Sequence, residues 1–135
     1  EGVFDAIQTA EISLEILKEA IKTMEVKAHN MESACAIGHL SATDLADYLV
    51  EKCNIPFREA HFITGRAVAK GEEINVDLSK MELKYLKEID SRINEDVIEY
   101  LGLRHSMNAR TSEGGTATTR TVEQLQYFKN FLGEN

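Results

Sequence analysis

Val3, Ile7, Ala10, Leu14, Leu17, Ile21 and Met24 are separated alternately by four and three residues. That heptad spacing runs one apolar seam along a helix and packs it lengthwise on another. Ile12 and Ile16 sit one turn apart on roughly the opposite side of the same helix. A helix on the surface of a lone domain needs one apolar stripe, so the second predicts neighbours on two sides. The pattern therefore predicts one long helix over about residues 2–25, a strut of a bundle whose other struts lie elsewhere.

After this strut the pattern breaks into shorter helices with clear punctuation. Asn30 is placed to cap a short helix through Met31, Ala34 and Cys35 that Gly38 stops. Ser41-Ala42-Thr43-Asp44 has the Ser-x-x-acid form of a capping box and opens a helix with Leu45, Leu49 and Cys53 on one face. Pro56, which lacks an amide donor and restricts Ile55, ends it. A fourth helix is predicted from Phe57 through Ala60, Ile63, Ala67 and Val68 to Lys70, ending at Gly71. Ser79 is placed to cap a fifth helix with Leu78, Met81, Tyr85 and Ile89 inside, and Asn94 a sixth, with Ile93 and Ile98 stapled across the cap. Residues 104–116 lack periodicity and read as a loop around Gly114-Gly115. A last helix, from about Ala117 to Leu132, is expected to turn Val122, Leu125, Phe128 and Leu132 inward. No internal repeat or low-complexity tract interrupts the series.

Composition agrees with an all-α fold. A single proline, no tryptophan and many Ala, Leu, Glu and Lys residues favour helix over sheet. The chain's 135 residues suffice for one domain with an appended element. Hydrophobic residues at 43% and charged residues at 28% place it among soluble globular proteins, not disordered ones. The fold expected is all-α, one long bundle helix followed by a small multi-helix domain, divided into residues 1–27 and 28–135. With 15 basic and 23 acidic residues the formal charge is −8, which repels nucleic acid. No apolar run reaches the roughly 18 residues a membrane span requires. There is no signal peptide, and a start at Glu1-Gly2 in place of Met reads as a piece cut from something larger. Cys35 and Cys53 stand 18 apart with no CxxC, so two free thiols in a reducing cytoplasm are expected.

Enzyme signatures are missing: no GxGxxG, Walker loop, GxSxG elbow or HExxH occurs. His29, His39, His61 and His105 are scattered, and none has the i, i+4 partner of a helical metal site. His61, one turn from Arg58, is the most tempting of them. Its plain reading is a side chain packed beside Phe57, with Glu59 complementing the helix dipole. Asp44 and Asp47 resemble a carboxylate pair, but Asp44 is accounted for by the cap and Asp47 by a salt bridge or a cap. Ser106-Met107-Asn108 and Gly114-Gly115-Thr116 form the only stretch with the look of a functional loop. A Gly-Gly pair before a helix can cradle an anion, though a tight turn with Thr116 as cap explains it better.

Four blocks carry a resemblance: Glu1-Gly2-Val3-Phe4-Asp5-Ala6, Ala42-Thr43-Asp44-Leu45-Ala46-Asp47-Tyr48-Leu49-Val50, Pro56-Phe57-Arg58-Glu59-Ala60-His61, and Gly114-Gly115-Thr116-Ala117. In their order and spacing they resemble the C-terminal part of the argininosuccinate lyase and delta-crystallin family. They do not resemble fumarase, aspartase or adenylosuccinate lyase. The resemblance implies a cytoplasmic homotetramer that splits argininosuccinate into arginine and fumarate in arginine biosynthesis, without a cofactor. A base removes a proton beside a carboxylate and an acid assists departure of the guanidino group. It also implies that the first helix is the last long helix of a central bundle shared by all subunits.

The family's signature loop, Ser-Ser-x-Met-Pro-x-Lys-x-Asn with its catalytic serine, is not here, since the only proline is Pro56. The substrate-contacting Tyr, Gln and Lys of the family come just before the Glu-Gly-Val-Phe-Asp-Ala block. No catalytic, substrate-binding or metal residue is therefore carried over to any position, and the chain alone is expected to be inactive. Cys53-Asn54 replaces the glycine usual after the Tyr-Leu-Val helix, and Glu113 stands where an aromatic or small residue is common. Two other readings stay open on sequence: a crystallin-like structural relative, and an acidic helical module whose first helix zips to a partner.

Overall fold

The computed structural model describes residues 2–133, and among them it contains only helices, turns and loops. The helices are α1 (Gly2–Lys22), α2 (Ala28–Ala34), α3 (Ala42–Glu51), α4 (Phe57–Ile74), α5 (Leu83–Ile89), α6 (Val97–Tyr100), α7 (Leu103–Ala109) and α8 (Thr118–Leu132), with a 3-10 turn at Leu78–Lys80. The expected all-α fold, a long first helix followed by shorter ones, is what the chain adopts. The contacts divide it into two units, one up to Met31 and one from Glu32 onward.

In the first unit α1 is a single uninterrupted helix. Thr9, Ser13 and Thr23 fold their hydroxyls back onto the carbonyls four residues earlier, at 2.7 to 2.8 Å. Val3, Ile7, Leu14, Leu17, Ile21 and Met24 of the seam, and Ile12 and Ile16 opposite, are all more than half exposed. Asn30 lies inside α2 instead of capping it, because α2 begins two residues earlier at Ala28.

The second unit is built on α3 against α4. Leu45, Tyr48 and Leu49 of α3 meet Ala60, Ile63 and Ala67 of α4, and the small alanines let the two helices approach closely. Ile55, Leu78, Met81, Leu86, Ile93, Val97 and Leu101 close around that pair. Burial of each large side chain contributes roughly 1.5–3 kcal/mol. Between the helices Asn54 takes the left-handed backbone, φ +53. Asparagine tolerates that conformation better than other non-glycine residues, which explains how Cys53-Asn54 replaces a glycine there. Pro56 then serves as N-cap of α4.

Several helix ends differ from expectation. α4 runs past Gly71 to Ile74 and is closed by Asn75 at φ +52, with the Val76 amide donating to the Gly71 carbonyl. Gly71 is needed for space: a Cβ there would stand 2.6 Å from His39 Cε1 and 2.8 Å from the Val76 carbonyl oxygen. Ser79 does not cap α5, which starts at Leu83; it is instead a donor to Asp77, the N-cap of the 3-10 turn. Asn94 does not cap α6 through its side chain, which donates to the Arg92 carbonyl. Val97, not Ile98, is the buried residue of that turn, so the predicted staple is absent. Residues 103–109 form α7, where a loop was expected, with Leu103 and Met107 on a partly exposed face too short to show a period. In α8, Val122, Leu125, Phe128 and Leu132 are more than half exposed, contrary to the inward face expected.

Candidate functional site

The second unit has a cleft of about 400 Å³ between α3 and α7. At its floor Asp44 is 4% exposed, and Arg110 Nη2 donates to its Oδ1 at 2.8 Å. This corrects the capping-box reading: Ser41 makes no side-chain cap bond, and Asp44 faces away to a guanidinium 66 residues later. Buried carboxylates require such a partner, since a desolvated charge is costly alone. Asp47, Glu51, Tyr100 and His105 complete the walls. The His105 ring stacks on Tyr100 at 4.1 Å between centroids, and Tyr100 meets Tyr48 edge-on at 5.1 Å. Lys52 Nζ stands 5.5 Å from the Tyr100 ring. Asp47 is exposed and joins no ion pair among the described residues. Among those residues no hydrogen bond links His105 to a carboxylate or hydroxyl, so the cleft holds no assembled acid–base or nucleophile–base pair.

The remaining polar side chains of the unit tie segments together. Tyr48 donates to Asp96 Oδ1 at 2.6 Å and accepts from the Asn94 amide at 3.1 Å, which is how α3 holds the approach to α6. Burial first, and the bond to Asp96 second, push that phenol far up and keep it protonated. Arg92 reaches Glu59 at 2.6 Å and Asp90 at 2.7 Å. Glu59 is thus engaged by a specific partner as well as standing in the first turn of α4. The bonds from Arg92 outweigh burial and hold the Asp90 carboxyl below the usual range. Burial pushes the Cys53 thiol up, and it donates to the Arg92 carbonyl at 3.4 Å. Both Cys35 and Cys53 are free.

His39 is a second clamp. Its backbone has φ +55, its amide donates to Asp77 Oδ2 at 2.8 Å, and its Nδ1 accepts from the Leu78 amide at 3.0 Å. Nε2 lies 3.2 Å from Glu72 Oε1. Asp77 also accepts from the amide and hydroxyl of Ser79. Burial pushes its carboxyl up, but the Ser79 and His39 bonds win and hold it below the usual carboxylate range. His61 packs on Phe57 at 6.4 Å between ring centroids, as expected, and His29 is exposed on α2.

The Gly114-Gly115-Thr116 stretch is a turn, and its cap comes from elsewhere than predicted. Asn108 Oδ1 accepts from the amide and hydroxyl of Thr118, occupying the start of α8. Thr116 instead donates its hydroxyl to the Met107 carbonyl at 3.1 Å. The Ala117 amide donates to the Arg110 carbonyl, and Arg120 Nε to the Thr111 carbonyl at 2.6 Å. A Cβ on Gly115 would meet the Arg110 carbonyl oxygen at 2.1 Å, so only glycine allows the loop to close this tightly. Ser106, Met107 and Asn108 are helical residues of α7, and Met107 and Asn108 serve this knot.

Arg110, Asn108, Arg92, Asp77 and Tyr48 therefore do most of the polar work. None was singled out in advance as a polar partner, since each reaches a residue distant in sequence or sits in an unperiodic stretch. Among the described residues no group of three or more His, Cys, Asp or Glu could hold a metal, and no helix is long and apolar enough to cross a membrane.

Taken together, these features define an all-helical packing domain whose charged groups lock helices to one another. A family profile described as argininosuccinate lyase C-terminal matches residues 39–108. The chain is 76% identical over 132 residues to an argininosuccinate lyase of Sulfurimonas denitrificans, covering 98% of this chain and 29% of that protein. It is 60% identical over 134 residues to one of a Nitratiruptor species, with 99% and 29% covered. To one of Campylobacter jejuni it is 43% identical over 132 residues, with 98% and 28% covered. The chain belongs to the argininosuccinate lyase family. It spans less than a third of the length of these relatives.

Proposed function

We propose that this chain is the C-terminal part of an argininosuccinate lyase, a cytoplasmic homotetramer that cleaves argininosuccinate into arginine and fumarate in arginine biosynthesis. The observation that carries the reading is identity as high as 76% along 98% of the chain to a protein bearing that name. In this role residues 1–27 form the last long helix of the shared central bundle and residues 28–135 a helical domain outside it. The two apolar stripes of α1, both exposed here, support that placement, because neighbouring helices would cover them. The chain contributes packing and assembly, and the reacting groups come from the rest of the polypeptide.

Two arms test this. The 135-residue chain, alone with argininosuccinate, is expected to release no fumarate. The same chain grafted in place of the matching segment of the Sulfurimonas denitrificans enzyme is expected to support fumarate release near that enzyme's own rate. Turnover by the lone chain that disappears on a substitution within it, or a folded graft without activity, would overturn the proposal.

A further inference from the structure

His39 lies in the segment between α2 and α3, and its ring ties that segment to the 3-10 turn at Leu78–Lys80. The Leu78 amide donates to His39 Nδ1 at 3.0 Å. A backbone amide can only donate, so Nδ1 offers a lone pair and carries no proton. Nε2 lies 3.2 Å from Glu72 Oε1 on α4 and must hold the ring's proton to meet that carboxylate. Together the two contacts make the ring the neutral Nε2–H tautomer.

A second proton can enter only at Nδ1, where it faces the Leu78 N–H. Turning the ring over puts Cδ2 against that amide, so no flip keeps the bond. The side chain is 11% exposed and sits against Gly71, so it has little room to slide. Leu78 is fully buried, and an amide released by the ring meets no water unless the segment moves away. The backbone favours that movement. At φ +55 His39 holds a left-handed conformation that costs a non-glycine residue energy and persists only while its contacts hold it.

The charged groups around the ring are Glu72 from α4 and Asp77 from the N-cap of the 3-10 turn, and residues 36–41 contribute none. Both carboxylates attract a protonated ring. The Glu72 side chain is 73% exposed, so water screens its pull. Asp77 is already committed to the His39 amide and to the amide and hydroxyl of Ser79. Held below the usual carboxylate range, it stays ionised wherever imidazole titrates. The buried Leu78 amide therefore decides the outcome.

We propose that His39 is an acid-sensitive fastener: when its ring takes up a proton, the bond from Leu78 opens and the segment joining α2 to α3 loosens from the 3-10 turn. The segment is fastened above the imidazole range, about pH 6.5, and released below it. Every group involved lies within residues 36–79, so the device does not rest on the lyase assignment.

Nuclear magnetic resonance on the nitrogen-15-labelled 135-residue chain tests it. At about pH 8 the ring nitrogen shifts should show Nδ1 bare and Nε2 protonated. The pH is then lowered to about 5 and exchange is corrected for its intrinsic pH dependence. Protection of the Leu78 and His39 amides should fall at least about tenfold, while that of Leu49 and Ile63 is kept. His39→Asn tolerates the left-handed backbone and places Oδ1 where Nδ1 stood, an acceptor at every pH. Its Leu78 amide should stay protected throughout. The opposite tautomer at the higher pH overturns the proposal. So does a ring still neutral at the lower pH, or a doubly protonated ring with Leu78 still protected. A fall that persists in His39→Asn assigns the effect to another group and overturns it too. Should that variant fail to fold, the ring shifts and protection of the unmutated chain decide the matter.

Discussion

Replacing Arg110 with methionine removes the charge that faces Asp44 while keeping much of the side-chain volume. The Asp44 side chain is 5% exposed and that of Arg110 43% exposed, so the pair lies between two limits. Exposed pairs contribute about 0–1 kcal/mol, and breaking a fully buried pair costs roughly 3–5 kcal/mol. Water still screens the guanidinium, and the unpaired carboxylate can draw solvent through the 400 Å³ cleft beside it, which lowers the cost toward about 2 kcal/mol. For a domain of this size that corresponds to a fall in Tm of roughly 5–10 °C. The assay is urea unfolding followed by far-ultraviolet circular dichroism, on the wild type, Arg110→Met, Asp44→Asn and the double variant. The two singles should be non-additive by at least about 1 kcal/mol, because with Asp44→Asn in place the loss of Arg110 no longer leaves a bare charge. A loss below about 0.5 kcal/mol for Arg110→Met, or strict additivity, would refute the claim that this contact holds α7 to α3.

Gly115→Ala should release the root of α8, raising exchange at the Ala117 and Thr118 amides at least about tenfold while the α3–α4 core keeps its protection. Unchanged exchange at Ala117 would show that the loop accommodates a Cβ. Asp77 is a pH prediction: its folded carboxyl lies below the unfolded value of about 3.9, so its stabilisation is present above that pH and lost as pH falls through the folded value. Asp77→Asn, which turns an amide NH2 toward one of the three donors, should cost roughly 1–2 kcal/mol near neutrality and less at a pH well below about 3.9. An equal cost at both pH values would sink that account. The unmutated chain should form a dimer or larger assembly through α1, and Leu14→Glu with Leu17→Glu should yield a monomer with its helical spectrum retained. Light scattering that shows the unmutated chain monomeric at high concentration would contradict the strut assignment.

What the sequence disclosed was whatever repeats along one helix or depends on one residue's own backbone. α1 is legible because seven apolar residues keep a heptad, and the α3–α4 core because Leu45, Leu49, Ala60, Ile63 and Ala67 recur at helical spacing. Pro56 marked its boundary because its missing amide acts locally. The failures gather at the predicted caps. Ser41, Ser79, Asn94 and Thr116 each carry a side chain that favours caps, yet none forms the predicted cap. The Ser79 hydroxyl goes to Asp77 and the Thr116 hydroxyl to the Met107 carbonyl, while Asp44, read as the other half of the Ser41 box, goes to Arg110. A cap is worth about 1 kcal/mol, and a buried carboxylate without its cation costs more than that, so at Asp44 the distant partner wins. Arg110 itself was invisible because Asp44 stands 66 residues away and α7 is too short to show a period. α8 was misjudged in the opposite sense. Its apolar face was read as turned inward, but an apolar stripe does not say what covers it, and Val122, Leu125, Phe128 and Leu132 stand exposed. The same ambiguity attaches to α1, where the second stripe gave it away. In α8 the interruptions at Gln124 and Lys129 hid how far round the helix the apolar arc extends.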